Sequence, residues 1–476
     1  MSEISPQQKK RILSDPITLF NQQNPQASEQ HLSALNTLVV QYKEFEKQHR
    51  EIQTQTRRLS RLIGQSKKNG NSIDELMSSM QHHSMELKML SAKLTDTGNL
   101  ILDYFKHEGE SGSPCDSQTE AKGREYIATE ADCSDICISL EDNVRDDWNR
   151  YVESNPASSI YHRAEWKELI KRTFGHTGHY FAARDGNGNI TGILPLIGLN
   201  SRLFGNFMVS MPYFNYGGAV GDHPLIEQQL MQAAAKHAAN LDISHIEYRD
   251  NTPRDGFPAR TGKVNMLLPL PDNHEALWQT FTPKLRAQIK RPQRENPQTH
   301  LGGGEYLDDF YIVFTRNMRD LGTPVYSKSF FRNILNSFPD ASRILVVRLG
   351  DKPVAAGFLI GHRNRLEIPW ASTISDVNHL SINMLLYWEV LKHAIDRHYG
   401  QFDFGRSTRG SGTYRFKQQW GARPIQLYWH YWLQDGTTLP ALNPDNPRYA
   451  LAIKVWKRLP LFITKRLGPL IVRNLP

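Results

Sequence analysis

The apolar positions fall into three regimes along the chain. Over residues 30–68 they recur mostly every third and fourth residue (Leu32, Leu35, Leu38/Val39, Tyr42, Phe45, Ile52, Leu59, Leu62/Ile63), with no proline in the run. That spacing predicts an amphipathic helix of about ten turns. Gly70 breaks it, Ser72 offers an N-cap, and Ile73, Leu76/Met77, Met80, Leu87, Leu90 and Leu94 mark a second helix. Residues 1–106 thus read as an antiparallel helical hairpin, for which a dimerisation coiled coil is the simplest role. Residues 107–141 are rich in Glu, Asp, Ser and Gly and poor in apolar residues, which predicts a flexible acidic linker.

Between 142 and 436 short alternating runs appear among helical ones. Helices are expected at 145–155, 163–174 and 225–240, a hairpin at 179–197, and strands at 208–211, 216–220 and 245–248. The pattern then repeats. Helices at 273–279, 284–291, 306–319 and 328–337 precede a hairpin at 343–360, a strand at 366–370, a helix at 382–398 and a strand at 401–405. The two hairpins share a core, Ala182-Ala-Arg-Asp-Gly186 before Gly192-Ile-Leu194 and Val346-Val-Arg-Leu-Gly350 before Gly357-Phe-Leu359. Such duplication divides the body into halves at 142–265 and 266–436, each a mixed, mostly antiparallel sheet with flanking helices. The class is α+β. Residues 437–476 form a tail with a helix start at Pro447 and apolar stripes Tyr449, Ile453, Trp456, Leu459 and then Ile463, Leu467, Leu470/Ile471.

The net charge of +8 suggests a polyanionic partner or a membrane surface. After Asp445 there are seven Lys or Arg and no acid, so the tail suits either an anionic membrane or packing on the body with its basic residues outward. The three cysteines, Cys115, Cys133 and Cys137, lie in one polar segment and fit a reducing compartment. Cys133 and Cys137 lack partners at zinc-site spacing, and His82-His83 reads as solvent-facing, so no metal is expected. The N-terminus lacks the apolar core of a signal peptide, and no run is long enough to span a membrane. A cytoplasmic protein, peripheral to the inner membrane at most, is expected.

The chemistry-bearing stretch is residues 401–417. An apolar strand breaks at Gly405, and Arg406, Arg409, Arg415 and Lys417 then fall among Gly410, Gly412 and several Ser and Thr. Cations and glycines after a strand can hold an anion. On composition alone a basic surface loop accounts for it equally well.

Two resemblances sharpen this. Residues 51–76, with Arg57, Arg58 and Arg61 on the first helix, Ile63-Gly64 before the Lys67-Lys68-Asn-Gly70 turn, and Glu75-Leu76 opening the second helix, resemble the tRNA-binding arm of seryl-tRNA synthetases. That implies RNA contact through Arg57, Arg58, Arg61, Lys67 and Lys68. The body resembles the FemAB-like family, in particular its members associated with exosortase and exopolysaccharide systems. The matching residues are Tyr161-His-Arg-Ala-Glu-Trp166, Ile193-Leu-Pro-Leu196, Ser210-Met-Pro-Tyr-Phe-Asn-Tyr-Gly-Gly218, Leu285-Arg-Ala-Gln-Ile-Lys-Arg291, Leu321-Gly-Thr-Pro324, Asp403-Phe-Gly-Arg-Ser407 and Tyr414-Arg-Phe-Lys417. The resemblance implies two tandem acetyltransferase-type (GNAT) domains behind the hairpin. It also implies transfer of an amino acid from aminoacyl-tRNA to an amine on an envelope or glycan precursor, with no cofactor. Family members that carry such a hairpin have it inserted in the body, whereas here it is N-terminal.

By this resemblance Phe416-Lys417 matches the family's Phe-Lys pair. Lys417 is then expected at the tRNA 3′ end and the reacting carbonyl. Arg286 and Arg291 are expected on anions, Tyr326, Arg406 and Ser407 at the acceptor, and Asp403 at the amine proton, although a strand-end Asp bonding local backbone is as good a reading. Two other readings stand. One is an acyl-CoA N-acyltransferase of polysaccharide assembly, for which no clear Gln/Arg-x-x-Gly-x-Gly/Ala diphosphate loop is present. The other is a non-enzymatic scaffold that dimerises through the arm and docks on membrane through the tail.

Overall fold

Asp185-Gly-Asn-Gly-Asn189 shows how local sequence builds the body. The Asp185 carboxylate accepts from the backbone N–H groups of Asn187 and Asn189 at 2.9 and 2.8 Å, and Gly188 adopts φ 82°. The turn reverses the chain between β2 (Thr177–Arg184) and β3 (Ile190–Ser201). A computed structural model describes residues 12–13, 16–23, 29–68, 136–141, 146–201, 205–434, 439 and 447–475, with isolated residues between 79 and 101.

Two compact units, 1–128 and 129–476, are present. In the first, α1 (Pro16–Gln23) precedes α2 (Glu29–Lys68), a single uninterrupted helix about 60 Å long. Phe20, Leu35, Val39 and Ile101 form its small core, and Arg57 and Arg58 are exposed. Most of the expected second arm helix, and the side chains of Arg61, Lys67 and Lys68, lie outside the described residues.

The second unit holds two sheets. The first has the order β1-β2-β3-β4-β6-β15-β7, with β5 beside β3, and the second β14-β8-β13-β12-β11-β10-β9. Here β1 is Cys137–Leu140, β4 Gly205–Val209, β5 Val220–Gly221, β6 His245–Asp250, β7 Ala259–Arg260 and β8 Lys263–Pro269. In the second half, β9 is Gln298–Gly302, β10 Ser342–Leu349, β11 Lys352–His362, β12 Arg365–Thr373, β13 Gln401–Thr408, β14 Arg423–Gln426 and β15 Tyr428–Leu433. All pairings are antiparallel except β4–β6 and β12–β13. Each parallel pair is bridged by a helix, α5 (Pro224–Asn240) and α10 (Ile382–Asp396) respectively, as parallel strands require. The other helices of this unit are α3 (Asp146–Ser154), α4 (Glu165–Phe174), α6 (His274–Thr280), α7 (Pro283–Lys290), α8 (Leu307–Leu321), α9 (Lys328–Ser337), α11 (Gly412–Gln418), α12 (Pro447–Trp456) and α13 (Leu461–Val472).

One continuous core runs from Trp148 and Trp166 of the first half to Phe310, Phe331 and Trp420 of the second. The indoles of Trp148 and Trp166 donate to the carbonyls of His162 and Ile160 at 2.6 and 2.8 Å, so these large rings are buried without leaving N–H groups unpaired. A second cluster fills the space between the first sheet and α5.

Several elements differ from the sequence pattern. Residues expected in the linker form β1, because Cys137–Leu140 pair in register with Arg184–Phe181 on the edge of β2. The strand expected at 216–220 shrinks to Val220–Gly221. The loop before it is held by the Arg249 carbonyl, which accepts from the N–H groups of Gly217 and Gly218. The strand expected to break at Gly405 continues to Thr408. Gly405 supplies a bulge, seen as a register shift against β8 between Asp403 and Arg406, and its φ of 74° suits glycine. Finally, β8 starts at Lys263 in the second sheet, while β15, drawn from the segment expected in the second half, pairs with β6 in the first. Strand pairing at that sequence distance leaves no trace in periodicity.

Candidate active site

Both parallel pairs are short. The strands β4 and β6 pair only at Met208–Ile246 and Val209–Glu247, and β12 and β13 only from Arg365–Gln401 to Glu367–Asp403. Beyond these points the strands part, and each gap releases backbone groups that need other partners.

The chain fills the first gap itself. Ser210 donates its N–H to the Glu247 carbonyl at 2.9 Å, and its hydroxyl accepts from the Arg249 N–H at 2.7 Å. Arg249 is buried, bonds Glu247 at 2.8 Å and the Phe214 carbonyl at 2.7 Å, and lies 4.5 Å from the Trp429 ring. Tyr431 on β15 donates to the other Glu247 oxygen at 2.5 Å. Arg249→Met should cost about 3–5 kcal/mol, since it strands a buried carboxylate. A fall in the urea midpoint, partly restored by adding Glu247→Gln, checks it.

The second gap is open at its mouth. Pro369, Trp370 and Ala371 on β12 are partly exposed, and Arg406 on β13 is exposed. Tyr326 stands beside Trp370, with ring centroids 5.8 Å apart. The Arg406 guanidinium lies 5.1 Å from the Trp429 ring and makes no hydrogen bond or ion pair among the described residues. Its charge also acts on the half-buried Tyr326, whose hydroxyl burial pushes up to about 12.

At the apex sits a buried polar cluster. Glu367 and Asp403 face each other across the last β12–β13 pair. Asp403 accepts from the Gly405 N–H at 2.7 Å, from Asn265 at 2.7 Å and from the Tyr216 hydroxyl. Glu367 accepts from the Tyr161 hydroxyl at 2.6 Å and from Asn215 at 3.4 Å. Burial, and then the Asp403 charge, push the Glu367 carboxyl up to about 8. Lys417 on α11 reaches the same apex. Its ammonium donates to the Gly405 and Arg406 carbonyls, both at 2.9 Å, and burial pulls it down to about 8 against the attraction of Asp403 and Glu367. Arg365, at the other end of the short ladder, adds a further positive charge near Tyr216 and Asp403.

Of the residues singled out by sequence, Asp403 and Lys417 meet at the apex and Tyr326 and Arg406 meet at the mouth. Ser407 is buried, and its hydroxyl has no hydrogen-bond partner among the described residues. Phe416 packs edge-on against Tyr387 at 5.1 Å and faces the core. Arg286 donates to the Phe281 carbonyl at 3.0 Å, Arg291 is exposed, and neither bonds the apex among the described residues. Asp403 is fully enclosed, with its oxygens committed to neighbours. Sequence reasoning missed Glu367, Asn265 and Arg365. The available signal was a carboxylate between Leu366 and Ile368 in the middle of an apolar strand.

Residues 283–418, from the start of α7 to the end of α11, match the model of a family described as an acetyltransferase (GNAT) domain. The second half is GNAT-like over those residues. The chain is thus an acyltransferase, and the GNAT match contains Glu367, Asp403 and Lys417. Across the body, the crystal structure of FemX is 13% identical, covering 66% of this chain and 100% of that one with a TM-score of 0.52. The likeness is one of fold, two GNAT-like sheets in tandem. The C-terminal domain of a putative lysylphosphatidylglycerol synthetase from Agrobacterium fabrum is 12% identical over 67% of this chain and 95% of its own, with a TM-score of 0.44. A tandem GNAT protein from the clavulanic acid biosynthesis pathway is 10% identical over 64% and 100%, with a TM-score of 0.40. No curated protein sequence is similar to the chain.

Proposed function

We propose that the second gap is the acyl-transfer centre of a FemAB-like aminoacyltransferase. In this reading an amino acid passes from aminoacyl-tRNA to an amine on an envelope or glycan precursor. The observation that carries the reading is the contrast between the gaps. The first is plugged by Ser210 and Arg249, while the second has partly exposed residues at its mouth above a buried carboxyl whose pKa burial raises to about 8.

The amine nitrogen attacks the ester carbonyl, the amide forms, and the ester bond to the tRNA 3′ oxygen breaks. An activated ester needs mainly positioning and charge stabilisation. Glu367 in its ionised form, rather than the enclosed Asp403, takes the proton from the amine and returns it to the departing ribose oxygen, since a group that titrates near neutrality suits both steps. Lys417 holds two successive peptide units by their carbonyls. In a trans peptide the N–H points away from the preceding C=O, so the N–H groups of Arg406 and Ser407 are aimed away from Lys417. Tyr326 and Arg406 receive the acceptor, and Arg57, Arg58, Arg61, Lys67 and Lys68 of the arm receive the tRNA backbone.

The acyl-CoA reading is the less favoured. The connection from β12 to α10, where a GNAT diphosphate would meet a helix N-terminus, contains no glycine and is filled by a 3-10 turn over Ser375–Leu380. The deciding experiment offers the purified protein labelled aminoacyl-tRNAs or labelled acyl-CoAs with a panel of amines. Amide formation from aminoacyl-tRNA is expected. Turnover of acyl-CoA with none of aminoacyl-tRNA would replace this reading.

A further inference from the structure

Helix α13 packs on the body the wrong way round for a water-soluble helix. Its buried positions are Thr464, Gly468 and Val472, at four-residue spacing. Gly468 approaches so closely that a Cβ there would lie 2.7 Å from Val325 Cγ2 and 2.8 Å from the Val325 nitrogen. Past the helix end, the Arg473 carbonyl is bonded by the Tyr213 hydroxyl at 3.2 Å and lies 2.8 Å from His176 Nε2. A small face and a backbone carbonyl therefore do the docking. The large apolar side chains turn outward instead, with Phe462 73% exposed, Leu470 58%, Leu467 42% and Ile471 39%. A helix stabilised only by its contact with the body would bury that stripe.

The neighbouring surface continues the pattern. Val455 of α12 and Ile312 and Leu321 of α8 are exposed. Ile453 packs against Gly322 at the end of α8, and Lys465 lies over the Tyr311 ring at 5.8 Å. Lys454, Lys457, Arg458, Arg466 and Arg473 are exposed around these residues, and no acid follows Asp445. The Trp456 expected on the apolar stripe is buried, so the outward face is set by α13.

We infer that this face lies on an anionic lipid bilayer, with Phe462, Leu467 and Leu470 in the interface and the cations on lipid headgroups. Charge selects the occupant. A second copy meeting this face by two-fold symmetry would oppose cation to cation, whereas anionic lipid neutralises it. Among the described residues no helix is long and apolar enough to cross a membrane, so α13 lies along the surface. This inference stands apart from the transfer reaction, but it has a bearing on it. Gly468 docks on Val325, the residue before Tyr326, so α13 links the bilayer face to the mouth of the gap.

The test sediments the full chain with vesicles of phosphatidylcholine alone or mixed with phosphatidylglycerol. Binding is expected only to the anionic vesicles and is expected to fall with salt. Phe462→Ser/Leu470→Ser and, separately, Arg458→Glu/Arg466→Glu should each lower the partition coefficient at least about tenfold. Circular dichroism should be unchanged, because all four side chains are exposed. Absence of wild-type binding, or binding unchanged in both variants, overturns the inference. So does a concentration-dependent dimer abolished by Phe462→Ser/Leu470→Ser without vesicle binding, which assigns the face to a second copy. Transfer activity is read separately, so either proposal can fail alone.

Discussion

Lys417→Met is expected to lower the transfer rate at saturating donor by about 10²–10³-fold, the scale of losing preorganised stabilisation at a reacting centre. The same substitution should cost about 2–4 kcal/mol of stability, because two buried carbonyls lose their donor. The two effects separate by experiment. A urea titration reads the stability, and initial rates at a temperature where the variant is fully folded read the chemistry. Lys417→Arg should keep most of the stability through its own N–H donors. It should still be slowed, since the wider guanidinium displaces the peptide units that the ammonium holds. A Met variant that loses stability but transfers at the wild-type rate would leave Lys417 a purely structural residue. The Gly405–Arg406 bulge would then not be part of the chemistry.

Glu367→Gln should change the pH dependence of stability more than its value at acid pH. The folded carboxyl is raised to about 8, so between its unfolded pKa and pH 8 the folded state keeps a proton that the unfolded state has released. Stability from this group is therefore fully present below the unfolded pKa and declines as pH rises through the window up to about 8. Glutamine is neutral throughout and keeps the acceptor for Tyr161. Near pH 4 the variant and wild type should unfold at similar urea concentrations. Near pH 8 the variant should be the more stable, by about 3–5 kcal/mol at most. Lys417 runs the other way. Its folded pKa is lowered to about 8, so its penalty applies below that value and is relieved as pH rises towards the unfolded pKa. Equal pH slopes for wild type and Glu367→Gln would mean that the folded carboxyl is not raised towards neutrality, and would leave it too weak a base for the transfer.

The repeated hairpins, the crossover helices and the gathering of Asp403 and Lys417 were legible because each depends on residues near in sequence. Alternation located β10 and β11, and a glycine-bearing turn located β2 and β3. The apex was legible only in part. Tyr161, Asn215, Tyr216, Asn265, Glu367 and Asp403 come from separate elements, and only folding reveals that they share hydrogen bonds. Phe416 illustrates the reverse error. Its place next to Lys417 on a helix turns it about 100° away, onto Tyr387 and the core. The tail misled for a related reason. A helical stripe says which residues share a face, while a close contact at Gly468 decides which face meets the protein.

The path of the chain between the two sheets has a consequence in time. It leaves the first sheet through β7 and β8 and returns through β14 and β15, whose Tyr428–Leu433 pair with Asp250–His245 of β6. A ribosome that has finished the whole first half has therefore made a sheet with β6 as an unpaired edge. That edge waits until residue 433 emerges, after the entire second, GNAT-like half has been synthesised. Such an edge invites pairing with another nascent chain. A product truncated before Tyr428 is expected to aggregate even though every residue of its apex is present.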